Sequence, residues 1–119
     1  MKEIVKDVSV SMGVEAQLTY ERRYPAAVNS GPETAQAIQA AADVVGGENI
    51  IGNLPPILGS EDFAFMLKQK SGAYIGIGYG EPGTNGMLHQ SSYDFNDSLL
   101  PVGAAYWVSL VERLLMSKK

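Results

Sequence analysis

The chain contains no cysteine and one histidine, His89, among its 119 residues. Without thiols there is no disulfide framework, no thiolate nucleophile and no sulfur ligand, a composition that suits a reducing cytoplasm. One imidazole without cysteine cannot by itself complete a transition-metal site or a His-based triad. Charge is also sparse. At 18% charged residues, nine basic against thirteen acidic, the net charge is −4. That balance argues against a nucleic-acid footprint. It argues equally against a polybasic membrane patch, since the basic cluster at a terminus is only Lys118-Lys119. The first residues alternate charged and apolar side chains and lack the apolar run of a signal peptide. The longest apolar-rich stretch, Leu99–Met116, is interrupted by Gly103, Ser109, Glu112 and Arg113, which reads as short of a transmembrane span. These absences predict a soluble chain that binds neither nucleic acid nor membrane.

What is present reads as one modest domain or part of one, with 45% hydrophobic residues. Ile4, Val5, Val8 and Met12 recur at helical spacing, so residues 2–12 read as an amphipathic helix stopped by Gly13. Residues 14–24 alternate as a strand, with Ala16, Leu18 and Tyr20 on one face and Gln17, Thr19 and Glu21 on the other. Pro25 ends it, and 24–30 reads as an extended connector. Ser30 or Gly31 followed by Pro32 and Glu33 marks a helix start. Ala37, Ile38, Ala41, Val44 and Val45 form its stripe, and Gly46-Gly47 its stop. A short strand at 49–51 and a proline-stiffened loop at 54–59 follow. Ser60 then reads as the N-cap of a helix to about residue 70, with Glu61 and Asp62 where the helix dipole favours negative charge. Residues 72–80 carry no charge and read as a strand buried on both faces. Asn96 or Asp97 can cap the last helix, with Pro101 in its first turn and Leu100, Ala104, Trp107, Leu110, Val111, Leu114 and Leu115 as its apolar face. The order implies an α/β (α+β) architecture in two pieces, 1–27 and 28–119. The single strand of the first piece needs partner strands that the sequence does not supply.

Two segments carry chemistry. His89 lies in a loop with Asn85, Gln90, Ser91, Ser92, Tyr93, Asp94, Asn96 and Asp97. Several of these can orient an imidazole by accepting its second N–H, as metal-bound histidines require, although Asp94, Asn96 and Asp97 also suit turns and a helix cap. Ser60, Glu61, Asp62 and Phe63 read as a helix start, or as the polar border of a substrate site. The glycines at 76, 78 and 80 imitate a phosphate loop weakly, because no helix starts directly after them and no lysine follows at the required spacing. Arg22-Arg23 reads as a solvated strand end, near enough to a junction to meet a carboxylate.

Three ordered motifs combine these residues: Gly59-Ser-Glu-Asp-Phe-Ala64, then an apolar run, then Leu88-His89 followed by Tyr93-Asp-Phe-Asn-Asp97 and Leu100-Pro-Val-Gly103. Together they closely resemble the C-terminal end of the M20-type metallopeptidases, most of all the amidohydrolase branch of hippurate hydrolases, N-acyl-amino-acid amidohydrolases and aminobenzoyl-glutamate hydrolases. Tyr24-Pro-Ala-Ala-Val-Asn29 resembles that family's exit from its lid domain. The resemblance covers nearly the whole chain from about residue 14. It implies a trailing helix and strand of a ferredoxin-like lid or dimerisation domain over 1–27, then the C-terminal α/β layer of a zinc-peptidase-like catalytic domain over 28–119. It further implies a site with two divalent metals (Zn, Mn, Co or Ni), in which His89 is a metal ligand and Ser60, Glu61, Asp62 and Phe63 line or buttress the substrate site. In the family, metal-bound water, deprotonated by a glutamate, attacks the amide carbonyl of an N-acyl amino acid. The other ligands and that glutamate have no counterpart in these residues. The expectation is a C-terminal portion, inactive alone, whose partners are the rest of the enzyme or further copies of itself. The competing expectation is a non-catalytic oligomerisation or interaction module.

Overall fold

The computed structural model describes residues 1–80 and 86–116, so Asn85 of the histidine loop and the Lys118-Lys119 tail lie outside the described residues. Helix α1 spans Lys2–Met12 and stops at Gly13, whose φ of 64° is left-handed and whose N–H returns to the carbonyls of Ser9 and Val10. A side chain at that φ would be strained, so glycine serves as the stop signal. Helix α2 spans Gly31–Val45, with extended Ser30 before it, proline in its first turn and Gly46 after it. A 3₁₀ turn, Gly47–Asn49, takes the first residue of the strand expected at 49–51, and residues 50–51 are irregular. Helices α3, Phe63–Gln69, and α4, Leu99–Met116, complete the set.

The α/β architecture, with its ferredoxin-like piece and its α/β layer, is not what forms. Among the described residues there are four α-helices, one 3₁₀ turn and no strand. The reason is the nonlocal nature of a sheet: alternation supplies a face, but a strand exists only through a backbone partner. Val14 bonds back to Ser9, and no described backbone group pairs with the stretch beyond it. The 72–74 segment does find partners, but mostly through side chains. Asn29 donates Nδ2–H to the Tyr74 carbonyl and accepts the Tyr74 N–H at Oδ1, both at 2.8 Å. Beside it Ser30 N–H bonds to Gly72 O at 2.9 Å. An amide side chain here takes the place of a ladder.

The core is the contact of α2 with α4. Ala37 and Ala40 are buried on α2, and Tyr106 on α4. Small residues on one helix let the ring of the other approach closely. Asp43 of α2 accepts hydrogen bonds from Ser109 Oγ at 3.2 Å and from Arg113 of α4, one at Nη2 and 2.6 Å and one at Nε, so the guanidinium binds the carboxylate in a fork. These polar anchors select which face of α4 is covered: Val102, Gly103, Tyr106, Ser109 and Leu110 lie inward. Most of the face expected inside is therefore outside, with Leu100 61%, Trp107 62% and Leu115 65% exposed.

The chain is open as a whole. Its radius of gyration is 20.6 Å, against about 13.5 Å for a compact chain of this length. It exposes 10189 Å², where a compact protein of this mass exposes about 6,200 Å². Helix α4 is also long and apolar enough to cross a membrane by length and composition, at 18 residues and a mean hydropathy of 1.3, despite the interruptions noted in the sequence. Its fork to Asp43 joins it to α2.

Arg113 holds the Asp43 carboxyl below the ordinary aspartate range, with Ser109 adding to the effect. A carboxyl whose pKa is depressed on folding contributes stability that is present above its unfolded pKa and lost as pH falls through the folded one. The α2–α4 contact is therefore expected to hold at neutral pH and to loosen only in acid below the usual aspartate range. Asp43→Asn should abolish that acid-dependent part of unfolding, as followed by helical circular dichroism against pH.

Candidate functional site

The helix at residues 60–63 starts later than its sequence suggests. Asp62, in αR conformation, is the N-cap position of α3, and its side chain makes no capping bond. Glu61 does the local work, its Oε1 accepting the Phe63 N–H at 3.1 Å. Ser60 is exposed and lies outside the helix. Two tyrosines lie near the acids: Asp62, through its acceptor oxygens and its negative charge, raises the pKa of the Tyr24 phenol, and Glu61 acts likewise on the Tyr74 phenol. Ring contacts reinforce both pairs: Tyr24 meets Phe65 edge-on at 5.5 Å, and Phe63 meets Tyr74 at 5.5 Å. Residues 61–65 thus grip the connector on one side and the 72–74 segment on the other. The tyrosine neighbours were not legible in the sequence because they stand away along the chain from the residues their rings meet.

His89 is exposed. It stands at the third position of a turn closed by Gln90 N–H on Met87 O at 3.2 Å, followed by a second turn from Gln90 to Tyr93 at 3.1 Å. Its φ of 66° is the single left-handed value among the described non-glycine residues. That position of a turn favours glycine or asparagine, and a histidine there carries strain of roughly 1–2 kcal/mol. Gly86 seals the loop's entry: at its φ of 68° an added Cβ would lie 2.6 Å from the Ser92 carbonyl oxygen. The far side is tied down by Tyr79 against Tyr93, with ring centroids 5.9 Å apart, and by Asn96 Nδ2 on Tyr79 O at 3.2 Å. Asn96 also accepts from Ser98 N–H at 3.1 Å and from its hydroxyl at 2.6 Å, which makes it the cap before α4.

Glu61, Asp62 and Phe63 are brought together with Tyr24 and Tyr74, while no described hydrogen bond connects His89 to them. Among the described residues no group of three or more histidine, cysteine or acidic side chains could hold a metal ion. The donor set present therefore does not fit a complete metal centre; His89 offers one nitrogen. A cleft of about 550 Å³ lies between α1 and the segment after it, lined by Met1, Lys2, Leu18, Tyr20 and Arg22. None of the expected site residues borders it.

Residues 3–113 match the description Peptidase family M20/M25/M40. Similar proteins include a hippurate hydrolase of Campylobacter jejuni, 30% identical over 95% of this chain and 29% of the relative. A putative amidohydrolase, YhaA, of Bacillus subtilis is 28% identical over 87% of this chain and 26% of its own length. The IAA-amino acid hydrolase ILR1-like 4 of Arabidopsis thaliana is 31% identical over 66% of this chain and 18% of its own length. The chain thus spans less than a third of the length of these curated relatives. No solved structure matches significantly.

Proposed function

Because the chain belongs to peptidase family M20/M25/M40, we propose that it is the C-terminal portion of a metal-dependent amidohydrolase that cleaves the amide bond of N-acyl amino acids. Its own contribution is the His89 imidazole, one ligand of a divalent-metal site whose remaining donors and general base lie outside these residues. The observation that carries the reading is the left-handed φ of His89 in a sealed loop. A non-glycine residue held in a costly backbone conformation by its surroundings points toward function. The relatives' names, a hippurate hydrolase and an amidohydrolase, support the reaction class. The absence of cysteine agrees with work in the cytoplasm.

The open shape supports the second half of the proposal, that residues 28–119 work covered by further polypeptide. Leu100, Trp107, Val111 and Leu115 leave one face of α4 in solvent, and such a patch marks an interaction site. The same apolar face is what a non-catalytic interaction module would use, so activity decides between the readings. Assayed alone against N-benzoylglycine and other N-acyl amino acids with Zn, Mn, Co or Ni, the chain should show no turnover above the buffer blank. Turnover by the isolated chain that is lost in His89→Ala would contradict the dependence on outside residues.

A further inference from the structure

We propose that Asn96 is a positioning residue for His89: one amide side chain both starts α4 and ties the histidine loop to the end of the 72–80 segment. Its Oδ1 accepts the Ser98 N–H at 3.1 Å and the Ser98 hydroxyl at 2.6 Å, while its Nδ2–H donates to the Tyr79 carbonyl at 3.2 Å. The first two bonds are the work of an ordinary helix cap, which aspartate does as well. The third needs a donor, and a carboxylate has none. A donor on one side and an acceptor on the other also fix which way the amide points. The bond to Tyr79 is part-buried, so water competes for it less than at the open surface.

The tie reaches His89 through Tyr79. The Tyr79 ring meets the Tyr93 ring edge-on. Tyr93 N–H closes a turn on Gln90, whose own N–H closes the turn that holds His89. Gly86 stands so near the Ser92 carbonyl that an added Cβ would lie 2.6 Å from its oxygen, which brings the two ends of 86–92 together. The His89 side chain makes no described hydrogen bond, so the backbone sets its place. A histidine at φ 66° persists where its surroundings over-determine it, and Asn96 supplies part of that constraint from outside the loop. The tie stands on these contacts; its consequence for amide hydrolysis rests on the proposed reading of His89 as a ligand.

Amide hydrogen exchange in the full chain reads the tie, and Asn96→Asp keeps the cap while losing the donor. Exchange at the Gln90 and Tyr93 amides should quicken about two- to tenfold, the usual weight of one hydrogen bond. The Tyr106 amide inside α4 should keep its wild-type rate. Ser98→Ala, which removes one cap bond and spares the tie, should leave the Gln90 and Tyr93 rates unchanged. Tyr93→Leu, which breaks the ring contact without altering α4, should quicken Gln90 exchange as Asn96→Asp does. Equal Gln90 and Tyr93 rates in wild type and Asn96→Asp would overturn the tie. So would equal acceleration at Tyr106, which reports loss of α4, faster loop exchange in Ser98→Ala, or an unchanged Gln90 rate in Tyr93→Leu. In a polypeptide that also supplies the remaining ligands, Asn96→Asp should lower kcat for N-benzoylglycine by roughly ten- to a hundredfold, with KM and the urea midpoint unchanged. Faster loop exchange with an unchanged kcat would contradict the hydrolytic role of His89 and leave the tie standing.

Discussion

On the proposed reading, His89→Ala, assayed in a polypeptide that also supplies the remaining ligands, is expected to lower kcat/KM for an N-acyl amino acid by at least about a hundredfold. Removing even a residue that orients a metal ligand typically costs 10–100-fold, and the ligand itself should cost no less. The loop geometry adds a second, opposite expectation. His89 sits at φ 66°, where glycine is at ease. His89→Gly should therefore lose activity as fully as His89→Ala while leaving the denaturation midpoint unchanged or slightly raised. A structural histidine would behave the other way round, losing stability in both variants with activity following stability. Paired kinetics and urea melts on the two variants separate these cases.

Tyr106→Ala should be the most damaging substitution to the fold. Tyr106 is the single large side chain among the described buried residues, at 6% exposure, and burial raises its phenol pKa. Truncating a buried aromatic to alanine costs about 3–5 kcal/mol in a well-packed core. The open surroundings here place the expected loss near the lower end, about 3 kcal/mol. A chain of this length is stabilised by roughly 6–18 kcal/mol when fully packed, so the loss would be a large share of a core this thin. Trp107 touches Tyr106 edge-on at 5.3 Å yet is 62% exposed. Trp107→Ala should change stability by only about 0.5 kcal/mol, as an exposed substitution does. Urea denaturation read by circular dichroism gives both values; equal losses would mean that α4 docks through its other face.

The helices were legible because their signals are local. Gly13 after a periodic run, Ser30-Gly31-Pro32 before one, and Asn96 ahead of α4 each act within a few residues. The sheet was misread because alternation in 14–24 and an uncharged run in 72–80 describe faces without partners. Asn29 satisfies Tyr74 through an amide side chain, for which no periodicity exists. The face of α4 was misassigned for a related reason. Counting apolar residues favoured Leu100, Trp107 and Leu115, but the side of α4 that carries Arg113 to Asp43 is a neighbouring face that shares Leu110 with it. At the candidate site the sequence marked His89 and residues 60–63. It could not show that Tyr24 and Tyr74 come up beside that segment, because those ring contacts join residues distant along the chain.

In the proposed function these residues supply a single metal ligand, with the rest of the site elsewhere. Metal content of the isolated chain, measured after loading with Zn or Mn and exhaustive dialysis, tests it most directly. Far less than one bound metal per chain, in wild type and His89→Ala alike, is the predicted result. One or two metals retained per wild-type chain and lost in His89→Ala would contradict it.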